Sequence, residues 1–214
     1  MKLPGSKGEH QVQKEFGTTR RALTFYNKQM LNYVNPLMRE FIARQEMVFV
    51  ATADAHGACD CSFRAGLPGF VHVLDERTLA YPEYRGNGVM ASVGNVVENP
   101  HIGMIFIDFF QSTLGLHVNG KAQVVENEAL VSWPDVTPAM INATQTTGGR
   151  CPERWIVVEV EEAYIHCSKH VPLLQKLDKD IRWGTNDEHQ KGGDAFRAKA
   201  CQRPWGNGHT HNEQ

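Results

Sequence analysis

Met47-Val48-Phe49-Val50-Ala51-Thr52-Ala53-Asp54-Ala55-His56-Gly57-Ala58-Cys59-Asp60-Cys61-Ser62-Phe63-Arg64 is the stretch on which the fold turns. Met47 to Ala53 is a short apolar run rich in β-forming residues, and it ends at Asp54-Ala55-His56-Gly57, a turn sequence with glycine last. Cys59 to Arg64 then alternates. Cys59, Cys61 and Phe63 fall on one face, and Asp60, Ser62 and Arg64 on the other. Two strands joined by a tight turn are expected, with the Cys59/Cys61/Phe63 face resembling core.

The same grammar continues downstream. Gly66, Pro68 and Gly69 break the chain before a strand from Phe70 to Leu74, and Asp75-Glu76 turns it into another from Arg77 to Tyr81. Pro82 to Asn87 is a polar connection into a short helix whose buried stripe is Val89, Val93, Val96 and Val97 and whose stop is Asn99-Pro100. Ile102 to Phe110 is apolar enough for a central strand. Leu114 to Val125 sets Leu116, Val118, Ala122 and Val124 against His117, Asn119, Lys121 and Gln123. A weakly helical insertion around Val136 to Thr144 precedes the last long strand, Trp155 to Ile165, and a short helical piece from Leu173 to Leu177. Upstream, Leu23, Tyr26, Met30, Val34, Leu37 and Phe41 recur at helical spacing. Asn35-Pro36 divides that stripe into two helices, with Asn35 as cap. About six short strands with one helix midway predict a mainly β chain with α-helix: a closed antiparallel barrel. Residues 1–45 read as a helical segment, 46–182 as the barrel domain, and 183–214 as a polar tail, loosely ordered unless a partner subunit holds it.

Composition is that of one globular domain. The chain has 214 residues, 41% hydrophobic and 21% charged, with a net charge of -2. That charge offers no footprint for nucleic acid or an anionic membrane surface. No run approaches the ~18 apolar residues of a membrane-crossing helix. The polar N-terminus lacks a signal-peptide core, and five scattered cysteines do not suggest a disulfide framework, so a cytoplasmic protein is expected.

Three clusters carry candidate chemistry. Tyr81-Pro82-Glu83-Tyr84-Arg85-Gly86-Asn87-Gly88 joins a strand to a helix, and its glycines let backbone approach a ligand. Free N–H groups at a helix start beside Arg85 make a phosphate seat, with Asn87 as helix cap and Ser92 further along. The alternative is a glycine-containing loop with a surface arginine. Ser62 and Arg64 would complete a phosphate clamp if their strand face lines a groove; otherwise it is a solvated face with Arg64 paired to Asp60. His166-Cys167-Ser168-Lys169-His170 ends the last strand. Neither CxxC nor HExxH accompanies it, so no metal site is expected, and Cys167 has no matched base for a nucleophile's role.

Together these clusters resemble the pyridoxamine 5'-phosphate oxidase-like, FMN-binding split-barrel family. The similarity runs from about Arg44 to Lys169. It is carried by Phe49 to Asp54, Ser62 to Phe70, Arg85-Gly86-Asn87, Asn95 to Gly103, Leu116 to Ala122 and His166 to Lys169. The resemblance implies an antiparallel split β-barrel and a homodimer with FMN in grooves between subunits. The positions matching the phosphate-holding residues are Ser62, Arg64, Arg85 and Asn87, with Ser92 beside them. It places Asn119 and Lys121 toward the flavin ring or the second side of the phosphate, and the His166–Lys169 turn across the site from the partner. The chain departs from the vitamin-processing oxidases in lacking their run of basic residues on the Ser62/Arg64 strand; Arg203-Pro204-Trp205 is the nearest counterpart to their arginine-containing C-terminal segment. The function implied is an FMN-dependent oxidoreductase with a small-molecule substrate or electron donor, His117 and His166 being the residues to watch for proton transfer. Alternatives are a flavin-binding module without turnover, a deazaflavin protein, or a haem-binding or haem-degrading relative using His166, His170, His209 or His211.

Overall fold

The computed structural model describes residues 3–205. Three helices lead in: α1 (Lys7–Glu15), α2 (Thr19–Gln29) and α3 (Pro36–Ala43), with the two-residue strand β1 (Met30–Leu31) between the last two. The barrel strands are β2 (Met47–Ala53), β3 (Cys59–Ala65), β4 (His72–Val73) and β5 (Thr78–Tyr84), then helix α4 (Ala91–Glu98), β6 (His101–Ile107) and β7 (Gly115–Val125). Helices α5 (Asn127–Leu130) and α6 (Pro138–Thr144) precede the long β8 (Pro152–His166).

All eight strands form one antiparallel sheet, in the order β3-β2-β6-β7-β8-β5-β4, with β1 on β8. Strands β3 and β4 end the path and do not pair with each other, so the barrel is split. β8 is long enough to hold β7 along its whole length, β5 with its first half and β1 with its second.

Alternation explains the core. Val48 and Val50 of β2, Met104 and Phe106 of β6, Leu116 and Val118 of β7, and Ile156 and Val158 of β8 pack with Leu79, Tyr81, Val93 and Val96. The opposite face of β8 is also buried. Trp155 and Val157 pack with Ala80, Val125, Leu130 and Met140 under α5 and α6, which is why Trp155 to Val158 is a continuous apolar run. The Trp155 Nε1 donates to Asn127 Oδ1 at 3.1 Å.

Several expectations are corrected. α1 carries no apolar stripe to announce it; Ser6 and Glu9 form a capping box instead. Met30 continues the helical spacing yet leaves the helix to pair with Tyr164. Asn35 does cap α3, accepting from the Met38 N–H at 2.9 Å. Pro82 lies inside β5, opposite Trp155. In α4 only Val93 and Val96 of the expected stripe are buried; Val89 and Val97 are exposed. Residues 171–182 form no helix. Among the described residues no helix is long and apolar enough to cross a membrane.

Candidate functional site

The Asp60/Ser62/Arg64 face of β3 looks inward, and the Cys59/Cys61/Phe63 face is the exposed one. The apolar face expected to be core is therefore outside. At this end of the barrel, the interior side of β3 meets α4 and β5 across a cavity of about 400 Å³. Its walls include Asp60, Ser62 and Arg64 from β3, Glu83 and Tyr84 from β5, Asn87 from the connecting loop, and Ser92 from α4.

The polar groups are tightly interlocked. Asp60 Oδ2 accepts from both the Ser62 hydroxyl at 2.8 Å and the Ser92 hydroxyl at 2.7 Å. The two hydroxyl oxygens are 2.9 Å apart. Hydrogen bonds from Ser92 and then Ser62, with the Arg64 charge adding, hold the Asp60 carboxyl below the usual carboxylate value against the opposing effect of burial. Arg64 Nε donates to Glu83 Oε2 at 2.9 Å, with both side chains mostly buried. Arg64 thus pairs with Glu83 and not with Asp60, its partner in the alternative of a solvated face; Glu83 was unforeseen because Pro82 to Asn87 reads as a loop, whereas Tyr81 and Glu83 share an inward face at strand spacing. Arg154 lies opposite Glu83 in the β5–β8 register, and its buried Nε has no partner among the described residues.

α4 opens onto the same cavity. Asn87 does not cap it; its Oδ1 accepts from the Val89 N–H at 3.0 Å. The cap position is Met90, in the left-handed region at φ 58°, and among the described residues no side chain caps the helix. Its first N–H groups are left for a ligand or water, with the positive end of the helix dipole behind them. A non-glycine residue held left-handed costs roughly 1–3 kcal/mol, and such strain is concentrated at ligand sites.

The remaining expected site residues lie elsewhere. Arg85 is in the loop and exposed. Lys121 is exposed and pairs with Glu161 at 3.5 Å. Asn119 Nδ2 donates to Glu162 Oε2 at 3.2 Å, next to the Tyr164 hydroxyl. His166 Nδ1 is 2.9 Å from His117 Nε2, and the His117 ring stacks on Tyr164 at 4.8 Å. Lys169 is exposed in a short 3-10 turn, Ser168–His170. Ser62, Arg64, Asn87 and Ser92 therefore come together within one chain, whereas Asn119 and His166 form a second cluster on β7 and β8. Among the described residues no three His, Cys, Asp or Glu side chains are grouped to hold a metal. His209 and His211 lie outside the described residues.

The family model for pyridoxamine 5'-phosphate oxidase matches residues 34–167, well over half of the chain. The chain belongs to the pyridoxamine 5'-phosphate oxidase family. The matched span covers every barrel strand except β1, together with α4 and the cavity between them. No curated protein matches the chain. Among solved structures, HupZ of Group A Streptococcus is similar at 22% identity over 62% of this chain and 93% of its own, with a TM-score of 0.46. The heme storage protein HutZ of Vibrio cholerae is similar at 13% identity over 61% and 93%, with a TM-score of 0.40. An F420 reductase is similar at 14% identity over 58% and 94%, also with a TM-score of 0.40.

Proposed function

We propose that the chain is an FMN-binding oxidoreductase, that it works as a homodimer, and that the cavity between β3 and α4 seats the flavin's phosphate. The observation that carries this reading is the convergence of two hydroxyls, the Arg64 guanidinium and an uncapped helix start on one cavity. Such a donor set fits an anion with several acceptor oxygens. Glu83 is neutralised by Arg64. Asp60 is the one group in the seat that opposes a phosphate.

In this reading Ser62, Arg64, Asn87 and Ser92 hold the phosphate, and Arg85 attracts it from the rim. Asn119, Lys121, His166 and Lys169 serve the ring side of the site, contributed where two subunits meet. FMN, when bound, supplies a ring that accepts a hydride and passes electrons to oxygen or another acceptor. The chain's own work is to bind and orient. His117 and His166, within hydrogen-bond distance of each other, are the pair placed to hold or move a proton.

The test is an absorbance spectrum of the purified protein before and after adding FMN and desalting. Oxidised-flavin bands at about one per subunit are expected. Arg64→Ala should weaken FMN by about 1.5–3 kcal/mol, the usual worth of a charge-assisted hydrogen bond. Arg85→Ala, at an exposed position, should cost less. A protein that retains no flavin, or an Arg64→Ala variant with unchanged affinity, overturns the reading.

A further inference from the structure

The seat described above already contains an anion. Each serine hydroxyl carries one hydrogen. With Asp60 ionised, both hydrogens point at its Oδ2, from Ser62 at 2.8 Å and from Ser92 at 2.7 Å. Neither is then left to donate to a ligand. The 2.9 Å separation of the two hydroxyl oxygens follows from their convergence on one acceptor.

Of the charges facing Asp60, only Arg64 favours its ionised form, and Arg64 is shared with Glu83. From its own strand it faces Arg64, and from β5 Glu83 and Tyr84. Arg64 and Glu83 neutralise each other at 2.9 Å, which leaves the Asp60 carboxylate as the uncancelled charge of the wall. α4 contributes Ser92 and the loop contributes Asn87, both neutral. Across β2 the register partner is Thr52, also neutral. Among the described residues no histidine or lysine lines the cavity. A phosphate entering beside an ionised Asp60 would meet a like charge and two hydroxyls turned away from it.

Resting on the reading of this cavity as a phosphate seat, we propose that a phosphate group enters it together with one proton taken from solvent and held between Asp60 and the phosphate. Protonation does two things at once. It removes the opposing charge, and it turns Asp60 from an acceptor into a donor, releasing the Ser62 and Ser92 hydrogens toward the ligand. Asp60 is thereby a specificity residue. It favours phosphate at lower pH and weakens it as pH rises, while a flavin lacking the phosphate shows no such dependence on Asp60.

The hydroxyl bonds that hold the Asp60 carboxyl below the usual carboxylate value agree with this ordering, since they leave the free seat fully ionised near neutrality. Near neutrality, Asp60 then becomes neutral by taking up a proton as the phosphate binds.

Calorimetric titration of the full chain with FMN, and separately with inorganic phosphate, tests the proposal in wild type and in Asp60→Asn. Repeating each titration in buffers of different ionisation enthalpy counts the protons. A phosphate monoester loses its second proton at about pH 6, so work near pH 8 presents FMN as the dianion. Wild type is expected to take up about one proton per FMN and to bind roughly tenfold more weakly per pH unit of rise. Asp60→Asn should take up none and bind FMN near pH 8 at least about tenfold more tightly. Asp60→Ala, which removes the charge by another route, should give the same loss of uptake.

Equal proton counts in wild type and variants, or weaker FMN binding by Asp60→Asn, overturn the proposal. Asp60-linked uptake with inorganic phosphate but no FMN binding would uphold the seat and overturn the flavin reading. No binding of either ligand by any of the three proteins overturns both.

Discussion

Burial pulls the imidazoles of His72 and His117 below the ordinary histidine value of 6.5, and for His117 the neighbouring His166 adds to the effect. Both rings are therefore held neutral in the folded chain, His72 tilted against Trp155 at 5.7 Å and His117 stacked on Tyr164. On acidification the unfolded chain binds these protons first. A group with a depressed folded pKa of this kind contributes stability that is complete above about pH 6.5 and is lost as pH falls toward the folded value. Asp60, also depressed, acts in a separate window below its ordinary 3.8. Thermal unfolding followed by circular dichroism should accordingly give a lower midpoint near pH 5.5 than near pH 7.5. His117→Gln should narrow that difference. A midpoint that rises on acidification, or a difference untouched by the substitution, would contradict the assignment.

Individual strands show where sequence pattern carries structure and where it stops. Period two in β3 put Asp60, Ser62 and Arg64 together, and the helical pattern with Asn35 placed α3; both were legible. Which face of β3 looks inward was not, because alternation has a period but no sign. The sign here is set by a polar cavity under α4, which takes the hydrophilic face in and leaves Phe63 and the cysteines out. Glu83 was hidden for a different reason. Pro82 reads as a strand breaker, yet β4 pairs β5 only at Leu79 and Ala80, so by Pro82 the strand has one partner and proline is tolerated. The bulge of β8 at Glu161, opposite Asn119 and Gly120 of β7, was equally silent. There the chains approach so closely that a Cβ on Gly120 would run into the Glu159 carbonyl, and backbone cannot move aside cheaply. Gly120→Ala should destabilise by about 1–3 kcal/mol in urea denaturation, the range of an overpacked core site. Gly103 is the control. A Cβ there would lie 3.4 Å from Asn119 Oδ1 and 4.0 Å from Ala51 Cβ, so Gly103→Ala should be milder. Equal costs at the two glycines would mean that β7 and β8 do not approach as described.

At the scale of the whole molecule, the inversion of β3 leaves an apolar surface without a cover. The register sets Phe63 beside Phe49, Cys61 beside Ala51 and Cys59 beside Ala53, and Phe49 in turn beside Ile105 of β6. The Phe63 and Phe49 rings lie 5.6 Å apart, and Phe63 is 54% exposed. β3 is also an end of the sheet path. A contiguous apolar face at a sheet edge is what a protein–protein interface leaves on a lone subunit, and exposed to water it would invite aggregation. The homodimer proposed above accounts for it with the same face on both copies, as two-fold symmetry requires. It also explains why β3 turns its polar side inward, since one strand then serves the phosphate seat with one face and the subunit contact with the other. Phe63→Glu tests this arrangement directly. Wild type should elute with twice the mass of one chain by light scattering. The variant would have to bury two unpaired carboxylates at the symmetric contact, weakening association by ~4 kcal/mol or roughly a thousandfold. Because Phe63 points away from the core, the variant should keep its far-ultraviolet spectrum while running as a monomer. Its flavin content then discriminates further: a site completed by the partner predicts loss of FMN with loss of the dimer, whereas a dimer that survives Phe63→Glu would place the contact on another face.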